Sequence, residues 1–96
     1  MRLDLFLKIS RLVPRRSVAQ EFCDEGLIFV NEAAAKSSKE VKAGDVIEIK
    51  RPTRLTRVLV RQVPATKQVS KSTAAEFYEV VEETVLESDP LNSGYR

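Results

Sequence analysis

The side chains of this chain that could do chemistry are cations. Arg2, Lys8, Arg11, Arg15 and Arg16 crowd the N-terminal region, and Lys36 and Lys39 follow as a second small group. Arginine presents a planar fork of donors that suits phosphate oxygens and keeps its charge when partly desolvated. Arg15 and Arg16 stand just before a predicted helix, whose first backbone amides and positive dipole end would add to an anion cradle. Other chemistries lack their parts. The sequence has no histidine and one cysteine, Cys23. A Ser–His–Asp triad, a Cys–His pair and an internal disulfide are therefore excluded. A zinc site would have to be built from carboxylates, and no glycine-rich phosphate loop is present. Cys23 falls on the apolar face of a predicted helix and reads as a small buried hydrophobe, with a reactive thiol as the alternative. Asp4 stands four residues before Lys8 and reads as a helix-start carboxylate paired to it. A general base would need a partner acid.

The charge is divided along the chain. Met1 to Lys71 holds 15 basic residues against 8 acidic ones, a balance of +7; Ser72 to Arg96 holds 1 against 6, a balance of −5. That pattern suggests a polyanion-binding body with an acidic tail, against the alternative of an uneven but solvated surface. Hydrophobic residues make up 43% and charged ones 31%, enough apolar content for one folded core and too little for a second domain. The longest run of large apolar residues, Leu27-Ile28-Phe29-Val30, is far too short to cross a bilayer. Arg2 and Asp4 open the chain with no apolar region behind them, so neither a secretory signal nor a membrane partner is expected. The expected location is the cytoplasm.

The elements that must position these cations follow from periodicity. Leu3, Phe6, Leu7 and Ser10 share one face at helical spacing, which predicts a helix from Leu3 to about Arg11 that stops near Val13, ahead of Pro14. A second helix should begin at Arg16 or Ser17, with Ser17 as its N-cap, Ala19, Phe22 and Cys23 as its buried stripe and Gly26 just past its end. Beyond Gly26 the period becomes alternating. Ile28 and Val30 should point inward, with Asn31 at a turn. Ile47 and Ile49 should point inward after the Gly44-Asp45 turn, with Pro52 closing that strand. A third strand is expected from Thr56 to Val63, with Val58 and Val60 inward and Pro64 as its stop. Ala65 to Thr73 reads as a loop, 73–76 as one helical turn and Phe77 to Glu82 as a final strand. The fold class is α+β: an N-terminal helical hairpin packed on a small, mainly antiparallel sheet. Leu27, Phe29 and Leu59 fall on the outward side and should be covered by the C-terminal strand or tail, with stacking on a base or a protein partner as the alternative. Arg51, Arg54, Arg57 and Arg61 form a second basic run that either extends an anion-binding face or keeps an edge strand soluble; the second reading is preferred.

Six short motifs stand in order in the first half: Arg2-Leu3-Asp4 followed by Phe6-Leu7, Arg16-Ser17 with Ala19, Glu25-Gly26, Val30-Asn31 and Gly44-Asp45. Together they resemble the S4 RNA-binding domain. Ala35-Lys36-Ser37-Ser38 ahead of Val41, and Ala74-Ala75 shortly before Tyr78, extend the similarity to the stand-alone S4 proteins of the heat-shock protein fifteen and RqcP families. It covers residues 1–83 as one domain with a C-terminal extension strand; 84–96 matches no part of it and reads as an acidic, flexible tail. The resemblance implies an S4-like fold with its αL motif. It implies binding to structured RNA, both rRNA and tRNA, on a large ribosomal subunit that still carries peptidyl-tRNA after a stalled ribosome has split. Through the RqcP families it implies ribosome-associated quality control alongside the RqcH factor. Arg2 and Arg16 match positions where the family holds RNA backbone with arginine. Lys8, Arg11 and Arg15 on the same hairpin, and Lys36 and Lys39 in the turn beyond the first strand, complete the candidate RNA-binding set. No cofactor, metal or catalytic residue is implied. Two departures stand out. Leu5 occupies a position where the family commonly has lysine. Asn31-Glu32 replaces an Asn-Gly turn, placing a side chain where positive φ costs about 1 kcal/mol, so a turn of different shape is expected.

Three other functions compete. S4 domains also occur as appendages of pseudouridine synthases and tyrosyl-tRNA synthetases, but a separate catalytic domain does not fit in 96 residues. A helix-turn-helix DNA reader would place Glu21, Asp24 and Glu25 against phosphates, which repels them. A general rRNA-binding or ribosome-assembly role, or a protein-interaction adaptor working through the acidic tail, remains as the alternative.

Overall fold

The computed structural model describes residues 1–64 and 74–85. The expected loop over 65–73 and residues 86–96 of the expected tail lie outside the described residues, while 84 and 85, expected in that tail, continue the last strand. The first helix, α1 (Leu3–Ile9), buries Leu3, Phe6, Leu7 and Ser10 as the spacing predicts, and Ile9 with them. It stops before Arg11. Arg11 takes φ 65 and its N–H bonds the Lys8 carbonyl at 3.1 Å, while the Val13 N–H bonds that of Leu7 at 3.2 Å. A left-handed arginine costs about 1–2 kcal/mol, and no glycine or asparagine at this position announced the stop.

The second helix, α2 (Arg16–Asp24), has Arg15 as its N-cap, with no side-chain cap bond. Ser17 is thus inside the first turn, not the cap. Its other end is as expected. Gly26, at φ 75, donates to the Cys23 carbonyl at 3.0 Å and Leu27 to that of Phe22 at 2.9 Å, the two bonds of a Schellman closure.

Five strands follow among the described residues: β1 (Ile28–Val30), β2 (Ala33–Ala34), β3 (Val46–Lys50), β4 (Arg54–Val60) and, after a 3-10 turn at Ala75–Phe77, β5 (Tyr78–Val85). They form one sheet in the order β2-β1-β3-β4-β5, every neighbouring pair antiparallel. The short β2 carried no period-2 signal. It exists because Asn31 and Glu32, at φ 51 and 72, turn the chain so that Val30 faces Ala33. Both central residues at positive φ is the type I′ arrangement. The turn therefore keeps the Asn-Gly shape despite the Glu32 side chain, contrary to the change expected. Asn31 offsets that strain: its Nδ2 donates to Asp45 Oδ1 at 3.2 Å and its Oδ1 accepts from the Val46 N–H at 3.0 Å. Asp45 Oδ2 accepts from the Lys42 N–H at 3.0 Å. The Val-Asn and Gly-Asp motifs are thus one structural tie.

The inner sheet face presents Ile28, Val30, Ile47, Ile49, Val58 and Val60, which join Leu3, Phe6 and Leu7 of α1 and Ala19 and Cys23 of α2 in one buried cluster. Each fully buried aliphatic or aromatic side chain there contributes roughly 1.5–3 kcal/mol, so the hairpin is held on the sheet by packing. On the outer face, Leu27, Phe29 and Leu59 are half-buried. Among the described residues, β5 pairs edge-on with β4 and does not lie over that face. The Lys50 ammonium sits 4.3 Å from the centre of the Phe29 ring. No helix of the described residues is long and apolar enough to cross a membrane.

Candidate nucleic-acid interface

Arg2 is the N-cap of α1 and Arg16 the first residue of α2. They are fourteen positions apart in sequence and meet at one carboxylate. Asp4, on the first turn of α1, has a side chain fully closed to solvent. Arg2 donates to Oδ1 through Nε and to Oδ2 through Nη2, both at 3.3 Å. The Gln20 Nε2 donates to Oδ2 at 2.9 Å and the Leu5 N–H to Oδ1 at 2.7 Å. Arg16 Nε lies 3.3 Å from Oδ2 as an ion pair, but no acceptor is aligned with its N–H. Burial opposes ionisation of Asp4. The donors of Gln20, Arg16 and Leu5 and the charge of Arg16 outweigh it and hold the carboxyl below its ordinary value. Asp4 is therefore ionised at neutral pH, and its partners are Arg2, Arg16 and Gln20 in place of the Lys8 pair that spacing suggested.

The Lys36–Lys39 turn is fastened to the same place. The Leu3 N–H bonds the Lys39 carbonyl at 2.8 Å and the Asp4 N–H that of Ser37 at 3.1 Å. The first amides of α1 are thus satisfied by the turn that carries Lys36 and Lys39, whose exposed side chains stand beside the Arg2 end of the helix. The Arg2 backbone forms an isolated antiparallel bridge with that of Glu40, and the chain's amino group pairs with the Glu40 carboxylate. A shallow groove lined by Ala33, Ala34, Ala35, Lys36, Ser38 and Lys39 runs along this side.

The remaining candidates are more spread. Lys8, six residues along α1 from Arg2, lies roughly 9 Å down the helix axis. Arg11 sits past the helix end, and Arg15 is exposed at the start of α2. The structure gathers Arg2, Arg16 and the Lys36–Lys39 turn, and leaves Lys8, Arg11 and Arg15 along the hairpin. Lys8, Arg15, Lys36 and Lys39 make no ion pair among the described residues.

The second basic run has a different fate. Among the described residues β4 is an interior strand between β3 and β5, which corrects the edge-strand reading. Arg54 pairs with Glu83 at 3.2 Å and Arg61 with Glu79 at 3.8 Å. Arg57 pairs with Glu48 at 3.0 Å and with Glu82 at 2.8 Å. Arg51 donates to the Leu12 carbonyl at 2.9 Å and to Thr56 Oγ1 at 3.3 Å, tying the sheet to the hairpin. Part of what read as an acidic tail is thus a strand that neutralises its neighbour. Among the described residues no group of three or more thiol or carboxylate side chains gathers to hold a metal ion. The candidate cations left without an ion pair among the described residues, Lys8, Arg15, Lys36 and Lys39, stand on the hairpin and on the turn fastened to it.

Sequence reasoning did not anticipate the place of Asp4 and Gln20. The signal was present in Arg2-x-Asp4, but local spacing pointed to Lys8, and only the fold carries Arg16 and Gln20 to the carboxylate.

Comparison with known proteins gives the family and the fold. Residues 1–47 match the model of the S4 domain. The chain is 42% identical over 89 residues to the RQC P-site tRNA stabilizing factor of Streptococcus pneumoniae (strain ATCC BAA-255 / R6), covering 93% of this chain and 99% of that one. It is 41% identical over 86 residues to the factor of the same name from Bacillus subtilis (strain 168), covering 90% and 98%. In fold it is similar to a trimeric structure of Vibrio cholerae heat shock protein 15, with a TM-score of 0.76 at 24% identity, over 84% of this chain and 81% of that one.

Proposed function

The chain belongs to the S4 domain family, in the group of the RQC P-site tRNA stabilizing factors, and on that premise we propose that it binds RNA on the large ribosomal subunit and steadies P-site tRNA there during ribosome-associated quality control. The observation that carries this reading is the pairing of Arg2 and Arg16 on one buried carboxylate, beside the Lys36–Lys39 turn. Two guanidiniums from different helices, flanked by two exposed ammoniums, make a cradle for phosphate oxygens. Lys8, Arg11 and Arg15 extend it along the hairpin. Residues 1–83 serve as the RNA-binding unit. The role is one of binding, not catalysis, and its place is the cytoplasm, where ribosomes work. Its substrate is the large subunit that retains peptidyl-tRNA, and the RqcH factor is the protein partner proposed to act with it there.

Most contacts of such a surface go to phosphates, which fix position without reading sequence. Selectivity must then come from shape. A subunit bearing peptidyl-tRNA offers phosphates from two RNA molecules to one small cradle. Co-sedimentation with purified large subunits tests this: those carrying peptidyl-tRNA should retain the protein at salt that strips it from empty ones. Equal retention on both would favour plain rRNA binding or an assembly role.

A further inference from the structure

We infer that Asp4 is a positioning residue for RNA binding, which holds Arg2 and Arg16 together as one phosphate site, so that removing its negative charge weakens binding. The inference rests on the RNA-binding reading above and goes further, because Asp4 itself is sealed from solvent and can act only through the arginines that rest on it. Long-range charge alone argues the reverse. A carboxylate beside a cation cradle lowers its potential, and neutralising it should attract phosphate more strongly.

The geometry opposes that expectation. Asp4 is saturated on both oxygens: Leu5 and Arg2 hold Oδ1, while Arg2, Gln20 and Arg16 crowd Oδ2. A carboxylate gripped from the backbone and from two helices cannot rotate, so it fixes the guanidiniums resting on it. Arg2 and Arg16 meanwhile keep 48% and 40% of their side chains exposed, so both remain accessible to a ligand. Arg16 Nε comes within 3.3 Å of Oδ2 as an ion pair, so the guanidiniums at the starts of the two helices converge on one carboxylate. Without the carboxylate two like charges would separate, and each long side chain would have to be ordered again on binding. Asp4 thus gives up some attraction at long range for a preformed site at short range. The two effects have opposite signs in one measurement.

Asp4→Asn preserves shape and raises the net charge by one unit. Binding to purified large ribosomal subunits at fixed salt should weaken about tenfold, as expected when one charged hydrogen-bonded arrangement is lost. In an Arg2→Ala/Arg16→Ala background the same substitution should change affinity less than about twofold, because the groups it positions are gone. A melting curve checks folding. If Asp4→Asn proves unfolded, Gln20→Leu takes its place: it keeps every charge, removes the 2.9 Å bond to Oδ2, and should weaken binding about threefold. Equal or tighter binding by folded Asp4→Asn, or an unchanged affinity for Gln20→Leu, would overturn the positioning role while leaving the cradle intact. If Arg2→Ala and Arg16→Ala themselves bind normally, the RNA-cradle reading fails first, and this inference with it.

Discussion

Arg16 and Arg61 carry the same group in opposite circumstances. Arg16 shares one carboxylate with Arg2, while Arg61 has Glu79 at 3.8 Å for itself. A phosphate arriving at Arg61 must compete with an existing partner, whereas the Arg2–Arg16 pair carries a surplus charge. Arg2→Ala or Arg16→Ala should therefore weaken binding to large subunits about ten- to a hundredfold, as for a lost charge-assisted hydrogen bond. Arg61→Ala, which deletes only a solvent-exposed pair, should change it less than about threefold. Titrations with the three variants decide this, and equal losses for Arg61 and Arg16 would move the interface onto the sheet. The cations could be named from the sequence by type and position, but that Arg2 and Arg16 meet at one carboxylate is set by the fold. Asp4 was legible as a residue and not as a role, because its partners Arg16 and Gln20 arrive from twelve and sixteen positions along. Cys23 reads the same both ways: burial, with Asp4 and Asp24 nearby, pushes its thiol up to about 11, as suits a packing residue and not a nucleophile.

The two helices show why some element boundaries can be read and others cannot. α2 ends at Gly26, whose φ of 75 is costly for any residue with a Cβ. α1 ends at Ile9 and the chain turns at Arg11, which adopts φ 65 without being glycine; Pro14 limits the helix near Val13 but does not mark this earlier stop. β2 was hidden likewise, because Glu32 holds a turn position that glycine usually fills. β4 was legible as a strand through Val58 and Val60, but its neighbours were not. The antiparallel ladder from Arg54–Val85 to Val60–Tyr78 places β5 beside it, with the Arg57–Glu82 and Arg54–Glu83 pairs along the seam. Gly26→Ala tests the α2 boundary. No atom lies within 4 Å of a Cβ built there, so the cost is conformational and not steric. It should be about 1 kcal/mol, a fall in melting temperature of roughly 4–8 °C for a domain of this size. An unchanged melting temperature would mean the Schellman closure contributes little to the fold.

At the scale of the whole molecule the question is how many cations face RNA. The sequence balance of +7 up to Lys71 counts the β4 arginines with the rest, yet Arg54, Arg57 and Arg61 already have acids from β3 and β5 against them. The hairpin and the Lys36–Lys39 turn are left to do the binding, with about five groups close enough to neutralise phosphates at once. Each phosphate contact releases counterions, so log affinity should fall against log salt with a slope of roughly −3.5 to −4.5. Recruitment of Arg54, Arg57 and Arg61 as well would raise the count to about eight and steepen the slope to roughly −6 to −7. A salt titration with large subunits separates the two interfaces, and Arg16→Ala should flatten the slope by about one. Arg57→Ala should leave it unchanged, because that guanidinium is held by Glu48 and Glu82 before any RNA arrives. A slope near zero would contradict a phosphate cradle of any size, while a steep slope that Arg57→Ala flattens would show that RNA strips the β5 acids from their arginines and uses both faces.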